Sequence, residues 1–83
     1  LKQNVPNPFS KSTVIEYELI EKGHTSLEVF DAFGRKVAEL VKDNQKAGKH
    51  SIIFLPKDLP NGIYFYILKT PDRVVSKKMF YIK

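Results

Sequence analysis

The sequence has no cysteine, two histidines, two arginines and four glycines among its 83 residues. Without cysteine there is no disulfide framework and no thiolate metal site, so stability comes from packing rather than cross-links. That absence does not exclude export. No apolar run approaches the ~20 residues that span a bilayer as a helix, and no signal peptide is visible. The glycines are isolated, so no phosphate-cradling loop is present. His24 and His50 show neither HxxxH nor HxH spacing, and tetrahedral zinc needs four ligands, or three and a water. No internal repeat or low-complexity tract appears.

What is present is a short basic chain of net charge +5. A chain of this length makes one domain and buries roughly 60% of its unfolded surface. So thin a core leaves little room to enclose a pocket of the usual ~300 Å³ or more. Function is therefore expected on a surface, an edge strand or a chain end. Apart from Lys77-Lys78 the lysines are scattered singly, which fits a solvated surface that discourages edge-to-edge pairing better than a nucleic-acid footprint. Beginning at Leu1 rather than Met, the chain is expected to be a fragment of a longer protein, with any targeting signal out of view.

The dominant period is two. Thr13, Ile15, Tyr17 and Leu19 alternate with Val14, Glu16 and Glu18, the mark of a half-buried strand. After the turn EKGH, Leu27 and Val29 oppose Ser26, Glu28 and Phe30. In DAFG, Asp31 can accept from the backbone ahead of it and Gly34 can take the left-handed conformation that closes a bulged hairpin. RKVAELVK has some helical character, with Val37, Leu40 and Val41 at i, i+3, i+4. It is nevertheless short, uncapped and enters from a tight turn, so the expectation is a strand that loosens towards Leu40. KDNQKAG is expected to be a polar loop. His50, Ile52 and Phe54 then alternate with Ser51, Ile53 and Leu55, and His50 is expected to cap the end of a core strand. IYFYILK is apolar on both faces, so it is either covered twice or faces a partner. TPDR turns into a last strand over VVSKKMFYIK. This spacing of strands and turn residues predicts an all-β, immunoglobulin-like antiparallel β-sandwich of about seven strands. Within LPNGIY, Leu59 anchors the loop, Gly62 permits the bend, and Tyr64 is expected to bond its hydroxyl back to the upstream backbone.

No catalytic constellation emerges. Ser10, Ser12, Ser26, Ser51 and Ser76 lack a nucleophile elbow or a neighbouring histidine. Glu16 and Glu18 stand about 7 Å apart on one strand face, but such pairs are common on exposed faces and nothing marks a cleft. No enzyme activity, cofactor or metal is expected. Phe30, Phe65, Phe80 and Tyr81 exceed what a thin core absorbs, and some are expected to form a partner-recruiting patch.

Four stretches in order, NVPNPFSKSTVIEYEL, LEVFDAFGRKVAELV, KAGKHSIIF and LPNGIYFYILK…KKMFYIK, resemble the type A C-terminal sorting domain of type IX secretion cargo. That family is related to the immunoglobulin-like part of flagellar hook-capping proteins. The resemblance spans essentially the whole chain. It implies a non-catalytic label at the end of an exported protein, recognised by the outer-membrane secretion machinery after passage through the periplasm. It further implies removal by a sortase-like peptidase and attachment of the N-terminal passenger to the cell surface, or its release. Carried over by position, the lead-in motif is Pro6, Asn7, Pro8 and Phe9, and the turn motif is Gly34 and Arg35 after Asp31. The late glycine motif is Gly62 and Tyr64 after Leu59, and the terminal motif is Lys78, Met79 and Ile82. Leu55 departs from the Asp or small polar residue common in the family.

Three expectations follow. Pro6 and Pro8 bias Val5 and Asn7 to extended conformations, giving a stiff lead that enters along a sheet edge without full pairing and holds passenger and label apart. The label is read through the final strand, Val74 to Lys83, with Lys77 and Lys78 supplying charge beside Met79, Phe80 and Ile82. The alternatives are an adhesive or carbohydrate-binding module, which requires an aromatic platform, and a self-associating hook-capping-like module.

Overall fold

Apolar alternation builds six strands, and a computed structural model describes them with every connection across residues 1–83. They are β1 (Thr13–Leu19), β2 (Gly23–Asp31), β3 (Lys36–Gln45), β4 (Gly48–Phe54), β5 (Gly62–Lys69) and β6 (Val74–Tyr81). β1 and β4 pair antiparallel in a two-stranded sheet, while the other four form an antiparallel sheet of order β3-β2-β5-β6. The class is the expected immunoglobulin-like β-sandwich, with six strands rather than about seven.

Between the sheets lies one cluster of twelve buried side chains. β1 contributes Ile15, Tyr17 and Leu19, β2 Leu27 and Val29, and β4 Phe54. β5 adds Tyr64, Tyr66 and Leu68, β6 adds Met79 and Tyr81, and Phe9 enters from outside the strands. These are the alternate positions of each strand, because successive side chains point to opposite faces. Tyr81, expected among the exposed aromatics, is a core residue: it shares a face with Met79, and its ring packs against those of Phe9 and Tyr64.

β3 corrects a second expectation. It neither loosens at Leu40 nor gives way to a loop at Lys42, but continues to Gln45. Its polar end is held from across the sheet, by pairing of Asp43, Asn44 and Gln45 with Thr25, His24 and Gly23. Two register shifts opposite Leu27–Phe30 let Val37, Ala38, Leu40 and Val41 all pack against the core. That irregularity is what gave the sequence its helix-like stripe.

The lead-in segment is bound to the sandwich. Residues 2–5 lie antiparallel against β1, with the Lys2 N–H donating to the Glu16 carbonyl and Val5 and Val14 exchanging both backbone bonds. The chain then bends through Pro6–Pro8, and Phe9 pairs with the end of β6. Asn4 is 1% exposed. Its amide N–H donates to the Tyr66 hydroxyl at 2.9 Å, and that hydroxyl donates to the Lys2 carbonyl at 2.8 Å. Its side-chain amide donates to Thr13 Oγ1 and to the Pro6 carbonyl. Buried polar groups demand such partners, and no buried side-chain polar atom in the protein lacks one. The segment therefore runs along the edge of β1 with incomplete pairing, as expected, and closes the sandwich.

Candidate functional site

Every strand runs between the same two poles of a body 36 Å long. Antiparallel order places Leu1, the β1–β2 turn, the β3–β4 turn and the β5–β6 turn at one pole. At the other lie Pro6–Phe9, the turn Asp31–Arg35, the loop Leu55–Asn61 and the end of β6. The motifs picked out along the sequence thus converge, except for AGKH, which stays at the Leu1 pole.

The Asp31 turn is built as its sequence dictates. Asp31 Oδ1 accepts from the Phe33 and Arg35 N–H groups, both at 2.9 Å, and Oδ2 accepts from Arg35 Nε at 2.8 Å. The Arg35 amide, with the other donors behind it, holds the carboxyl below the usual aspartate value. Gly34 sits at φ +84°, where an L side chain is strained. Across a cleft, the Tyr64 hydroxyl donates to the Pro60 carbonyl at 2.6 Å, closing the expected corner. Leu59 packs against the core beside it. Burial raises the Tyr64 pKa, with the charge of Asp31 adding to the effect.

The lead-in segment, from Gln3 to Phe9, caps the outer edge of β6. Gln3 Nε2 donates to the Lys78 carbonyl at 2.7 Å, and Asn7 Oδ1 accepts from the Phe80 N–H at 2.9 Å. The Phe9 carbonyl accepts from the Ile82 N–H at 2.9 Å. Capping stops at Lys78. Val74 and Ser76, which share that edge by the alternation of antiparallel pairing, have no such partner.

The terminal-strand residues divide between two faces. Met79 is fully buried, so in the folded domain it anchors the strand from within. Lys77 is half-buried on the same face, while Lys78, Phe80 and Ile82 are exposed on the other. On that outer face Phe80 lies opposite Ile63, and one row reads Lys36, Phe30, Phe65, Lys78 across all four strands. The second apolar face of β5 is thus uncovered, with Ile63 and Phe65 39% and 38% exposed.

Glu16 and Glu18 face solvent, and no three His, Asp or Glu side chains converge. His50 stacks on Tyr17 at 5.3 Å, and its Nε2 lies 2.7 Å from the Lys46 carbonyl. What the sequence did not disclose is the part played by Gln3 and Asn4, whose partners are far along the chain. It also did not disclose Phe33, an 85% exposed ring with the Arg35 guanidinium 5.5 Å above it.

A family model described as the secretion system C-terminal sorting domain matches residues 5–83. No curated protein matches the chain.

Proposed function

The chain belongs to the secretion system C-terminal sorting domain family, and from that membership we propose how its signal is organised and read. The domain is the C-terminal sorting signal of type IX secretion, recognised by that machinery, and it directs export toward the cell surface or extracellular space. The family is one of sorting signals and not of enzymes. Residues 1–83 act as one unit, carried by a longer exported protein through the periplasm. A sortase-like peptidase acts in the segment joining that passenger to the label.

The final strand is the part that is read. The observation that carries this reading is the uncovered outer face of β6 and β5, where Lys78 and Phe80 stand beside Phe65 and Ile63. The open edge at Val74 and Ser76 supports it, because a partner strand can add to such an edge. Lys77 contributes charge from the strand's other face, and Met79 keeps the strand seated. Pro6, Asn7, Pro8 and Phe9 hold β6 in register, while Asp31, Gly34, Arg35, Leu59, Gly62 and Tyr64 shape the pole at which it ends.

Deleting the strand would remove Met79 and Tyr81 from the core, so truncation cannot separate reading from folding. Surface changes can. A reporter fused to the domain in a host with type IX machinery is expected to lose most of its export when Lys78→Glu and Phe80→Ala are combined. Export of a folded double variant at the wild-type level would contradict the reading.

A further inference from the structure

The pole farthest from Leu1 carries an aromatic ring the fold does not use. Phe33 is 85% exposed, yet its place is fixed: its N–H is held by Asp31, and the guanidinium of Arg35 lies over the ring. An exposed ring gives the folded domain almost nothing, since stabilisation scales with the apolar area removed from water. Beside it runs a cleft of about 400 Å³, open to solvent, between the Asp31 turn and the Leu59–Gly62 loop. Val37, Leu59 and Ile63 supply apolar wall, and Ile63 also belongs to the outer sheet face.

The charge around this cleft has one sign left over. Arg35 uses Nε on Asp31, and its two terminal nitrogens have no partner. A guanidinium so placed presents a fork that matches a carboxylate. Lys11 and Lys57, exposed at the same pole, take part in no ion pair, and Asp58 is the one unpaired side-chain carboxylate there. At the Leu1 pole Lys22 and Lys46 also take part in no ion pair, but there the carboxylates of Glu18, Glu21 and Asp43 are unpaired as well.

We propose that this pole is a docking site for an acidic protein segment of the secretion machinery, with a carboxylate of the segment on the free side of Arg35 and an apolar side chain against Phe33 in the cleft. The proposal rests on the sorting reading and adds the chemistry of the partner. It also explains the polarity of the body. Leu1 lies at the opposite pole, so a passenger joined there would not obstruct the site.

The test is a reporter fusion to residues 1–83 in a host carrying type IX machinery, with export and the melting temperature of each purified fusion both measured. Wild-type export is the first readout, and its absence contradicts the sorting reading itself. Given wild-type export, Phe33→Ala and, separately, the pair Lys11→Glu with Lys57→Glu are each expected to lower export roughly tenfold or more, the effect of losing one interface hot spot. Their melting temperatures should stay at the wild-type value, because all three residues are exposed. Arg35→Lys keeps the charge and the backbone bond to Asp31 but loses the fork, and is expected to lower export too. The pair Lys22→Glu with Lys46→Glu, at the other pole, should leave export unchanged. Full export of Phe33→Ala or of the Lys11/Lys57 pair overturns the docking site while leaving the sorting reading intact. An equal loss from the Lys22/Lys46 pair also overturns it.

Discussion

The backbone of Phe9 is bonded to that of Phe80, its N–H donating to the Phe80 carbonyl at 3.0 Å. This bond joins the head of the chain to its last strand. The lead-in segment and the strand proposed to be read are therefore one structure, and a change in the first is felt by the second.

Phe9 is 3% exposed and packs on Phe54 and Tyr81. Its replacement by Ala should cost roughly 3–5 kcal/mol, as large core truncations do. Asn7→Ala removes only the bond to Phe80 and should cost about 0.5–1.5 kcal/mol. Urea denaturation measures both, and hydrogen exchange at the Phe80 amide should quicken in the Asn7 variant. Equal effects of the two substitutions would contradict a buried anchor with an exposed cap.

The corner at Tyr64 separates in the same way. Tyr64→Phe keeps the ring in the core but leaves the Pro60 carbonyl unpartnered, for a loss of about 0.5–1.5 kcal/mol. Tyr64→Ala should lose roughly 3–5 kcal/mol. If the Phe variant were as damaging as the Ala variant, the hydroxyl rather than the ring would hold the corner.

Much of this was legible in the sequence, because alternation is a local signal. Ile15, Tyr17 and Leu19, or Tyr64, Tyr66 and Leu68, declare their common face without reference to any partner. Asp31 and Gly34 likewise announce a turn whose bonds close within five residues. The failures share a cause. The polar end of β3, Lys42 to Gln45, is a strand only because β2 lies beside it. Tyr81 looked surplus because its place in the core depends on rings contributed from Phe9 and Tyr64. The prolines at 6 and 8 truthfully marked an irregular edge, but Asn4 and Tyr66, 62 positions apart, decide that the segment is bound rather than free.

At Gly34 nothing lies within 4 Å of where a Cβ would stand, so a substitution there meets backbone strain alone. Gly34→Ala should cost about 1–2 kcal/mol, the penalty for an L residue in the left-handed region. Thermal unfolding measures it, and a stable variant would mean that the turn relaxes to another type.

Asp31 gives the fold an acid sensitivity of known sign. Its carboxyl is held below the usual aspartate value when folded, chiefly by the Arg35 N–H. The stability this confers is fully present above the unfolded-state pKa and is lost as pH falls through the folded-state one. Asp31→Asn keeps an acceptor for the turn but cannot ionise, so its stability should fall less steeply than the wild type below about pH 4. Parallel pH profiles of the two proteins would show that the charge contributes nothing.

The most direct measurement is export of a reporter that has no secretion route of its own beyond the inner membrane, fused ahead of residues 1–83 in a host with type IX machinery. Reporter is expected at the cell surface or in the medium, and none there when the machinery is disabled. A folded fusion retained in the periplasm with the machinery intact would contradict it.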